Sequence, residues 1–281
     1  MRIVLATCNT WSALSPSDEC LATALRHRGH RVDAAPWNGS EAAFRDADAV
    51  VVRSTWDYHE APDAYARWLD RRDPRRSFNA PALIRWNVSK RYLLDLAARG
   101  ARVPRSRESA ATPAAVAATV DALGVDEAVI KPLIGASGFG VERVRRGDEA
   151  RALERALAVK AMDRVLVQEY LPGIAAGEVS AVFFGGVFSH ALRRAPAPGE
   201  FRINSQYGGR MEATQLADGV TARLIAVLDL LPAAPLYARI DAVATGDEVV
   251  VMEAEVNEPA LGMHLVPGAA ERFADALLAA L

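Results

Sequence analysis

The chain has 281 residues, of which 51% are hydrophobic and 24% are charged, so it carries enough apolar material for a buried core divided between two or three domains. The formal net charge of −2 argues against a protein that binds nucleic acid, and charged residues or glycines interrupt every apolar run before it could span a membrane. The 2 cysteines, Cys8 and Cys20, are too few for a disulfide framework or a paired-CxxC zinc site, which favours a soluble protein of the cytoplasm.

The first part of the chain alternates strand and helix patterns. Short apolar runs predict strands at 3–7, 31–35 and 49–52, and helical spacing predicts a helix at 17–28 that ends before Gly29. A loop followed by a helix is expected at 56–72. This alternation is typical of a Rossmann-like α/β unit with a parallel sheet, and the turn residues at 79–81 predict its end.

The rest of the chain mixes strands and helices. Asn87 is expected to cap a helix that ends before Gly100, and Thr112 to cap another with Pro113 at its first position. We place the domains at residues 1–82, 83–170 and 171–281. Strands are predicted at 128–132, 141–144, 165–170, 179–184, 187–191, 236–243 and 249–256, and helices at 148–159, 214–230 and 271–281.

A glycine-rich segment joins two of these strands. Lys131 lies near the end of the first strand, and loop 135–140 carries three glycines and Ser137 before the second strand. Glycines allow backbone N–H groups to close around phosphate oxygens. The spacing fits neither a Walker P-loop nor the GxGxxG fingerprint, so a phosphate-binding loop and an ordinary glycine-rich hairpin stay equally open on these residues alone.

A second candidate segment follows the strand at 165–170. Backbone groups at the end of this strand could bind the edge of an adenine, and the carboxylate of Glu178 could accept both hydroxyls of a ribose. On these residues alone, a solvent-exposed strand end is the simpler interpretation.

Carboxylates and an amide cluster on the last two strands. The side-chain period of two puts Glu253, Glu255 and Asn257 on one face of their strand, and Arg239 shares a face with Asp241. Oxygen ligands of this kind suit Mg²⁺, with nucleotide phosphates completing the octahedron. An arginine beside them could neutralise the charge of a phosphoryl group in transfer.

The connection between these two strands decides whether the cluster can form. If Gly246 and Asp247 made a simple two-residue turn, Asp241 would face away from the carboxylates of the next strand. A shared metal site therefore requires an odd-length connection centred near Asp247 or Glu248, or a β-bulge, and we predict that register.

These segments, in this order, resemble the ATP-grasp superfamily over residues 87–261. The resemblance implies an ATP-grasp fold, in which an N-terminal Rossmann-like α/β domain precedes two α+β subdomains that clamp ATP and Mg²⁺. It implies that two lysines bind the phosphates beneath the glycine-rich loop and that two carboxylates and an amide hold the metal. The nucleotide-binding residues implied are Lys90, Lys131, Ser137, Gly138, Phe139, Gly140, Glu169, Tyr170, Leu171 and Glu178, and the metal ligands are Asp241, Glu255 and Asn257, with Glu253 as an additional candidate.

The resemblance also implies catalytic residues. Arg239 is similar to the arginine of D-alanine–D-alanine ligase that steadies the developing phosphoryl and tetrahedral oxyanions. Residues 199–204 are similar to a glutathione-synthetase-like loop, which implies that Arg202 and Asn204 face the substrate carboxylate. Together with the strand lysine, Lys131, these arginines are the expected catalytic residues.

The substrate is expected at the end of the strand at 49–52. Ligands of open α/β sheets bind at the carboxyl ends of strands, so Arg53, Ser54 and Asp57 are candidates to hold a small polar amino acid. A surface turn capped by Ser54 and Asp57 is the alternative interpretation.

The N-terminal segments at 10–19 and 50–58 resemble the branch of the superfamily that forms cycloserine. In that branch ATP activates the carboxylate of O-ureido-D-serine, and the isoxazolidinone ring closes with release of ADP, phosphate, carbon dioxide and ammonia. We therefore expect an ATP-dependent carbon–nitrogen cyclo-ligase that acts on a small amino-acid-like molecule. A homodimer is a candidate for its oligomeric state. The alternatives are an intermolecular carboxylate–amine ligase, a non-catalytic nucleotide-binding module, and a nicotinamide oxidoreductase, which the missing GxGxxG disfavours.

Overall fold

The computed structural model describes residues 1–246 and 248–281, and the chain begins with a four-stranded parallel sheet. The strands are β1 (Arg2–Thr7), β2 (Arg31–Pro36), β3 (Ala49–Val52) and β4 (Ser77–Phe78), and the helices are α1 (Pro16–His27), α2 (Ala42–Arg45) and α3 (Pro62–Asp70). In the order β2-β1-β3-β4, the central strands β1 and β3 are buried on both faces, which explains their continuous apolar runs. The predicted Rossmann-like unit is therefore present.

Two short helices lead to a second sheet. These are α4 (Pro81–Val88) and α5 (Tyr92–Ala98), followed by β5 (Ser106–Ala110), α6 (Pro113–Leu123), β6 (Glu127–Pro132), β7 (Glu142–Arg145), α7 (Glu149–Val159) and β8 (Arg164–Glu169). The strands are antiparallel in the order β5-β8-β6-β7, and α6 and α7 pack on them around an apolar cluster that includes Val116, Leu153 and Val165. The Thr112 hydroxyl accepts the Ala115 N–H and caps α6, as predicted.

The third sheet has five antiparallel strands. Its elements are β9 (Glu178–Phe184), β10 (Val187–Ala195), β11 (Arg210–Thr214), α8 (Asp218–Leu228), β12 (Tyr237–Thr245), β13 (Glu248–Glu255) and α9 (Ala269–Ala279). The strand order is β11-β10-β9-β12-β13. Helix α9 packs between this sheet and α1, so Leu25, Tyr237 and Phe273 belong to one buried cluster. This cluster joins the third sheet to the N-terminal unit.

A helix ends before Gly100 as predicted, but it begins at Tyr92, so the predicted start at Asn87 is wrong. Asn87 lies inside α4, where its side chain donates to the Ala254 carbonyl (2.6 Å) and accepts the Val256 N–H (2.9 Å). Asn87 therefore ties α4 to the end of β13 instead of capping a helix. Lys90 lies in the short break between α4 and α5, and its backbone N–H donates to the Leu133 carbonyl (2.7 Å).

The hairpin of β12 and β13 contains the predicted bulge. Asp241 pairs directly with Glu253, whereas the next pair toward the turn skips Met252, so Met252 is the bulged residue. The bulge brings Asp241 and Glu253 onto one face of the sheet, as the metal site requires. Asp247, the centre expected for a longer turn, lies outside the described residues.

Three further expectations concern the helix at 214–230, the domain boundaries and membrane spans. The helix expected at 214–230 is shorter, because β11 occupies its beginning. The domain boundaries after residues 82 and 170 stay predictions; the first lies inside α4 and the second follows β8. In the part of the chain that the structure describes, no helix has both the length and the apolar character needed to cross a membrane.

Candidate nucleotide and metal site

A cleft of about 1160 Å³ lies between the second and third sheets, with the glycine-rich loop on one side. This volume includes the part of the cleft that is open to solvent. Gly140 lies behind the wall, where its positive φ of 70° permits a tight turn against Pro132. The wall contains Lys90, Lys131, Ser137, Gly138, Phe139, Glu169, Tyr170, Leu171, Glu178, Arg202, Asn204, Glu253 and Glu255 from the residues predicted by sequence.

The glycine-rich loop is held by the loop at 200–208. The Gln206 side chain donates to the Ser137 carbonyl, and the Tyr207 hydroxyl donates to the Gly138 carbonyl (3.3 Å). Gly138 has a φ of 72°, and a Cβ there would lie 2.7 Å from Asn204 Oδ1. Glycine is therefore required by both backbone conformation and close approach, and the two loops together cover the cleft.

Two lysines lie within the cleft beside a carboxylate. Lys90 Nζ donates to Glu253 Oε1 (2.8 Å). Burial lowers the pKa of Lys131 to about 8; attraction by Glu253 opposes this shift, and repulsion by Lys90 adds to it. Burial also lowers the pKa of Lys90, but the Glu253 carboxylate outweighs it, and the net shift is upward. Two partly buried ammonium groups in one cleft favour a bound anion, as nucleotide phosphates would supply.

Three carboxylates crowd together on β12 and β13. Ligand oxygens of Asp241, Glu253 and Glu255 all lie within 4.8 Å of one another. Burial raises the pKa of Glu255 well above its usual range, and the neighbouring carboxylates Glu253 and Asp241 add to that rise. The lysines outweigh burial at Glu253 and lower its pKa. Hard oxygen donors in mutual repulsion fit a divalent cation such as Mg²⁺, because the cation would relieve that repulsion.

Arg239 lies behind these carboxylates. Its guanidinium donates to both oxygens of Asp241 (2.9 and 3.2 Å from Nε) and forms an ion pair with Glu255 (2.8 Å). Only 2% of Arg239 is exposed, and it does not line the cleft among the described residues. The nearby carboxylates raise its pKa against the effect of burial. In this structure Arg239 therefore orients Asp241 and Glu255, and its predicted direct catalytic role stays a prediction.

Asn257 lies beyond β13, which ends at Glu255, so its expected alignment with Glu253 and Glu255 stays a prediction. The Tyr65 hydroxyl donates to Asn257 Oδ1 (2.6 Å), and Asn257 does not belong to the described cleft wall. Glu253 and Glu255 line the described cleft wall, whereas Asn257 and Asp241 are buried behind it. The role of Asn257 as a ligand stays a prediction.

Arg194 is a residue of the site that sequence reasoning missed. It stands opposite Glu178 across β9 and β10, and its guanidinium donates to Glu178 (3.2 Å) and to Asp241 (3.0 Å). Burial and the nearby Asp241 raise the pKa of Glu178 to about 8, while Arg194 opposes that rise. Glu178 thus lies in the wall as predicted, but an arginine accompanies it. The cross-strand pairing that identifies Arg194 could not be read from its own segment.

The substrate-binding residues predicted after β3 lie outside the described cleft wall, unlike Arg202 and Asn204. Arg53 Nε and the Ser54 hydroxyl both donate to the buried carboxylate of Asp18 (2.8 and 2.6 Å). Asp57 accepts the indole N–H of Trp37 (2.5 Å). All three follow β3 as predicted, but their side chains are buried within the N-terminal unit. A direct role in substrate binding is therefore not supported by their position.

Two residues that were not predicted, Tyr58 and Glu258, line the cleft beside the N-terminal unit. The Trp56 indole N–H donates to the Glu258 carbonyl (3.0 Å). Burial raises the pKa of Glu258 to about 7, against the attraction of Lys90. Glu258 directly follows a predicted metal ligand, but nothing in its own sequence pattern indicated a separate role. At the opposite wall, Arg202 is paired with Glu200 (2.7 Å), beside Asn204.

Comparisons with known proteins agree with this architecture. Residues 3–79 match the family described as D-cycloserine synthetase DcsG, N-terminal domain, and residues 111–231 match the prokaryotic glutathione synthetase ATP-grasp domain. The cycloserine biosynthesis protein DcsG of Streptomyces lavendulae is 30% identical over 274 residues, which cover 92% of this chain and 91% of that protein. The chain belongs to the DcsG family of ATP-grasp ligases.

Solved structures and other relatives extend this result. The crystal structure of D-cycloserine synthetase DcsG superposes with a TM-score of 0.85 at 27% identity, covering 99% of this chain and 98% of that chain. The D-alanine–D-alanine ligase of Bacillus anthracis shares the fold, with a TM-score of 0.67 at 16% identity, covering 100% of this chain and 97% of that chain. A glutathione synthetase of Synechococcus elongatus is 33% identical over 190 residues, which cover 65% of this chain and 57% of that protein.

The DcsG-family ligase therefore has the ATP-grasp fold and the ATP-dependent ligase class that the sequence predicted. The fold implies that ATP binds, and Mg²⁺ is typical of the family.

Proposed function

We propose that this DcsG-family ligase converts O-ureido-D-serine to D-cycloserine at the expense of ATP. The observation that carries the proposal is the similarity to cycloserine biosynthesis protein DcsG along nearly the whole chain, N-terminal unit included. ATP phosphorylates the substrate carboxylate, and the ureido nitrogen attached to oxygen displaces phosphate from the acyl phosphate. Loss of the carbamoyl group with one water then gives carbon dioxide and ammonia.

The cleft supports activation of a carboxylate. Lys90 and Lys131 hold the nucleotide phosphates, and Asp241, Glu253 and Glu255 would hold Mg²⁺. When bound, Mg²⁺ supplies neutralisation of the phosphoryl charge and aligns the phosphate oxygens. The chain itself needs no activated side-chain nucleophile, because ATP supplies the leaving group.

The loops over the cleft support protection of the intermediate. Loop 135–140 is anchored to loop 200–208 by Gln206 and Tyr207, which restricts water at the reacting phosphate. We assign Arg202 and Asn204, in the cleft wall beneath this cover, to the substrate carboxylate. The adenine is assigned to Glu169, Tyr170 and Leu171 at the end of β8, and the ribose to Glu178.

Intramolecular closure fits a single small-substrate site. Tethering the nucleophile to the acyl phosphate makes proximity a property of the substrate, and effective molarities of about 10⁵ M or more are known for well-oriented intramolecular reactions. The enzyme then needs to hold one folded conformer.

We also propose the domain division at 1–82, 83–170 and 171–281 and a homodimeric state. Limited proteolysis would test the domain boundaries, and light scattering would test the homodimer.

The second candidate is an intermolecular carboxylate–amine ligase, which the match of residues 111–231 to a glutathione synthetase domain favours. Incubation with ATP, Mg²⁺ and O-ureido-D-serine separates the two functions when ADP and products are followed by mass spectrometry. ADP and D-cycloserine formed from this substrate alone support cyclisation. ADP formed only when a second amino acid is added supports ligation, and no ADP under either condition contradicts both.

A further inference from the structure

We propose that Glu258 and Tyr58 form a subsite for the ammonium group of the amino-acid substrate. The inference rests on the proposed function and extends it, because it identifies the feature by which the enzyme would select an amino acid over a simple carboxylic acid. Both residues line the cleft at the end nearest the N-terminal unit. Neither belongs to the groups assigned above to the nucleotide, the metal or the substrate carboxylate.

Glu258 differs from the other carboxylates of the cleft in its charge partners. Among the described residues, no cation forms an ion pair with the Glu258 side chain, although it is only partly exposed. A carboxylate in such a place favours a cation brought in by a ligand. Each of the other four glutamates that line the cleft forms an ion pair with a cation of the chain. The pairs are Glu169 with Arg105 (2.9 Å), Glu178 with Arg194 (3.2 Å), Glu253 with Lys90 (2.8 Å) and Glu255 with Arg239 (2.8 Å).

The cation at Glu258 is not the metal of the carboxylate cluster. The three clustered carboxylates, Asp241, Glu253 and Glu255, have ligand oxygens within 4.8 Å of one another, and Glu258 is not a member of that cluster among the described residues. A separate monovalent group therefore suits Glu258 better than a shared divalent ion. Since Mg²⁺ and the lysines serve the phosphates, the remaining cation of the reaction is the substrate's own ammonium.

The N-terminal unit fixes this subsite in place. The Trp56 indole N–H donates to the Glu258 carbonyl (3.0 Å), and Arg53 donates to the Pro259 carbonyl (2.7 Å). Tyr58 follows β3 in a short 3₁₀ turn, and its hydroxyl donates to the Gly135 carbonyl (3.4 Å) at the start of the glycine-rich loop. The buried side chains expected to bind substrate therefore position the groups that face it.

The oxygens available match the donors of an ammonium group. A primary ammonium presents three N–H donors, and the Glu258 carboxylate and the Tyr58 hydroxyl, both of residues in the cleft wall, can accept hydrogen bonds. The subsite lies at the end of the cleft formed by the N-terminal unit, whereas Glu169 and Leu171 line the adenine end at β8. The amino acid would thus be held by its ammonium at one end while its carboxylate meets the phosphate.

The test compares two ligands on three proteins. The ligands are O-ureido-D-serine and the analogue without its amino group, 3-(ureidooxy)propanoate. The proteins are the wild type, Glu258→Gln and the control Glu154→Gln, which changes an exposed glutamate of α7. Calorimetry in the presence of Mg²⁺ and ADP measures binding, and ADP release measures turnover with ATP. Glu258→Gln keeps the side-chain shape but removes the charge.

We expect the wild type and Glu154→Gln to bind the amino compound about 30-fold more tightly than its analogue, which is the order of a hydrogen-bonded charge contact. Glu258→Gln should reduce this preference to less than about 3-fold while leaving the Kd of ADP unchanged. Tyr58→Phe should reduce it partly. A preference that persists in Glu258→Gln, or a wild type that shows none or binds neither compound, overturns the subsite.

The binding result and the turnover result answer different questions. If the wild type binds the amino compound selectively through Glu258 but releases no ADP, the proposed cyclisation fails and the subsite stands. If it releases ADP and D-cycloserine but Glu258→Gln lowers kcat/KM equally for both ligands, the proposed function stands and the subsite fails. A higher Mg²⁺ requirement in Glu258→Gln, with unchanged ligand preference, would assign Glu258 to the metal and likewise overturn the proposal.

Discussion

Replacing Asp241 by asparagine tests the electrostatic organisation of the cleft. The carboxylate of Asp241 is fully buried and is shared by two guanidinium groups, those of Arg239 (2.9 Å) and Arg194 (3.0 Å). It also belongs to the three-carboxylate cluster that we assign to Mg²⁺. Asp241→Asn keeps the shape of the side chain and removes its negative charge from the arginine ion pairs and from the carboxylate cluster. Stability and catalysis should therefore both change.

The stability effect can be worked from the contacts. Removing one partner of a buried ion pair costs about 3–5 kcal/mol when the remaining charge has no other partner. Here Arg239 retains Glu255 (2.8 Å) and Arg194 retains Glu178 (3.2 Å), so part of the loss is compensated. We expect a loss of about 2 kcal/mol in the free energy of unfolding, which corresponds to a fall in Tm of about 4–8 °C for a chain of this size.

The catalytic effect should be larger. Loss of a charged metal-binding group removes stabilisation of the transferring phosphoryl group, and we expect kcat to fall by a factor on the order of 10³, with half-saturation at a higher Mg²⁺ concentration. ADP release measured across a Mg²⁺ titration, together with thermal unfolding followed by circular dichroism, gives both quantities. Asp163→Asn, at an exposed aspartate before β8, is the matched control. A wild-type kcat and Mg²⁺ dependence in Asp241→Asn would refute the metal assignment.

Three further predictions concern the phosphate end of the cleft. Gly138→Ala should raise KM for ATP about 10-fold, because the new Cβ would lie 2.7 Å from Asn204 Oδ1, whereas Gly29→Ala, with a similar φ of 82° and open space, should leave KM unchanged. Lys131→Ala should abolish ADP release, and retained activity would remove our assignment of this lysine. Because burial lowers the pKa of Lys131 to about 8, its ammonium loses the proton as pH rises through that value, and kcat/KM for ATP should fall above about pH 8. Lys131→Arg should move this fall to higher pH, and an unshifted profile would assign it to another group.

The parallel N-terminal sheet and the carboxylate cluster of Asp241, Glu253 and Glu255 were predictable from sequence for clear physical reasons. Strands buried on both faces read as continuous apolar runs, as at 49–52. The requirement that Asp241 share a face with Glu253 predicted either an odd-length connection or a bulge. The strand pairing shows that the bulge is present, at Met252.

The misassigned residues share one cause, which is that their partners lie far away in the chain. Asparagine is a common helix cap, but the Asn87 side chain instead bonds the backbone of Ala254 in β13 and of Val256 just after it, 167 and 169 positions later. Arg53 stands at the end of a strand where ligands commonly bind, yet buried Asp18 takes its guanidinium. Arg194 was missed for the same reason, because only the pairing of β9 with β10 brings it beside Glu178.

Transfer of ¹⁸O from the substrate carboxylate to phosphate tests most directly whether ATP phosphorylates that carboxylate. O-ureido-D-serine labelled with ¹⁸O in both carboxylate oxygens would be incubated with the enzyme, ATP and Mg²⁺, and the released phosphate analysed by mass spectrometry. If ATP phosphorylates this carboxylate before the ring closes, each molecule of D-cycloserine should be accompanied by one phosphate carrying one ¹⁸O. Unlabelled phosphate released together with D-cycloserine would contradict an acyl phosphate intermediate.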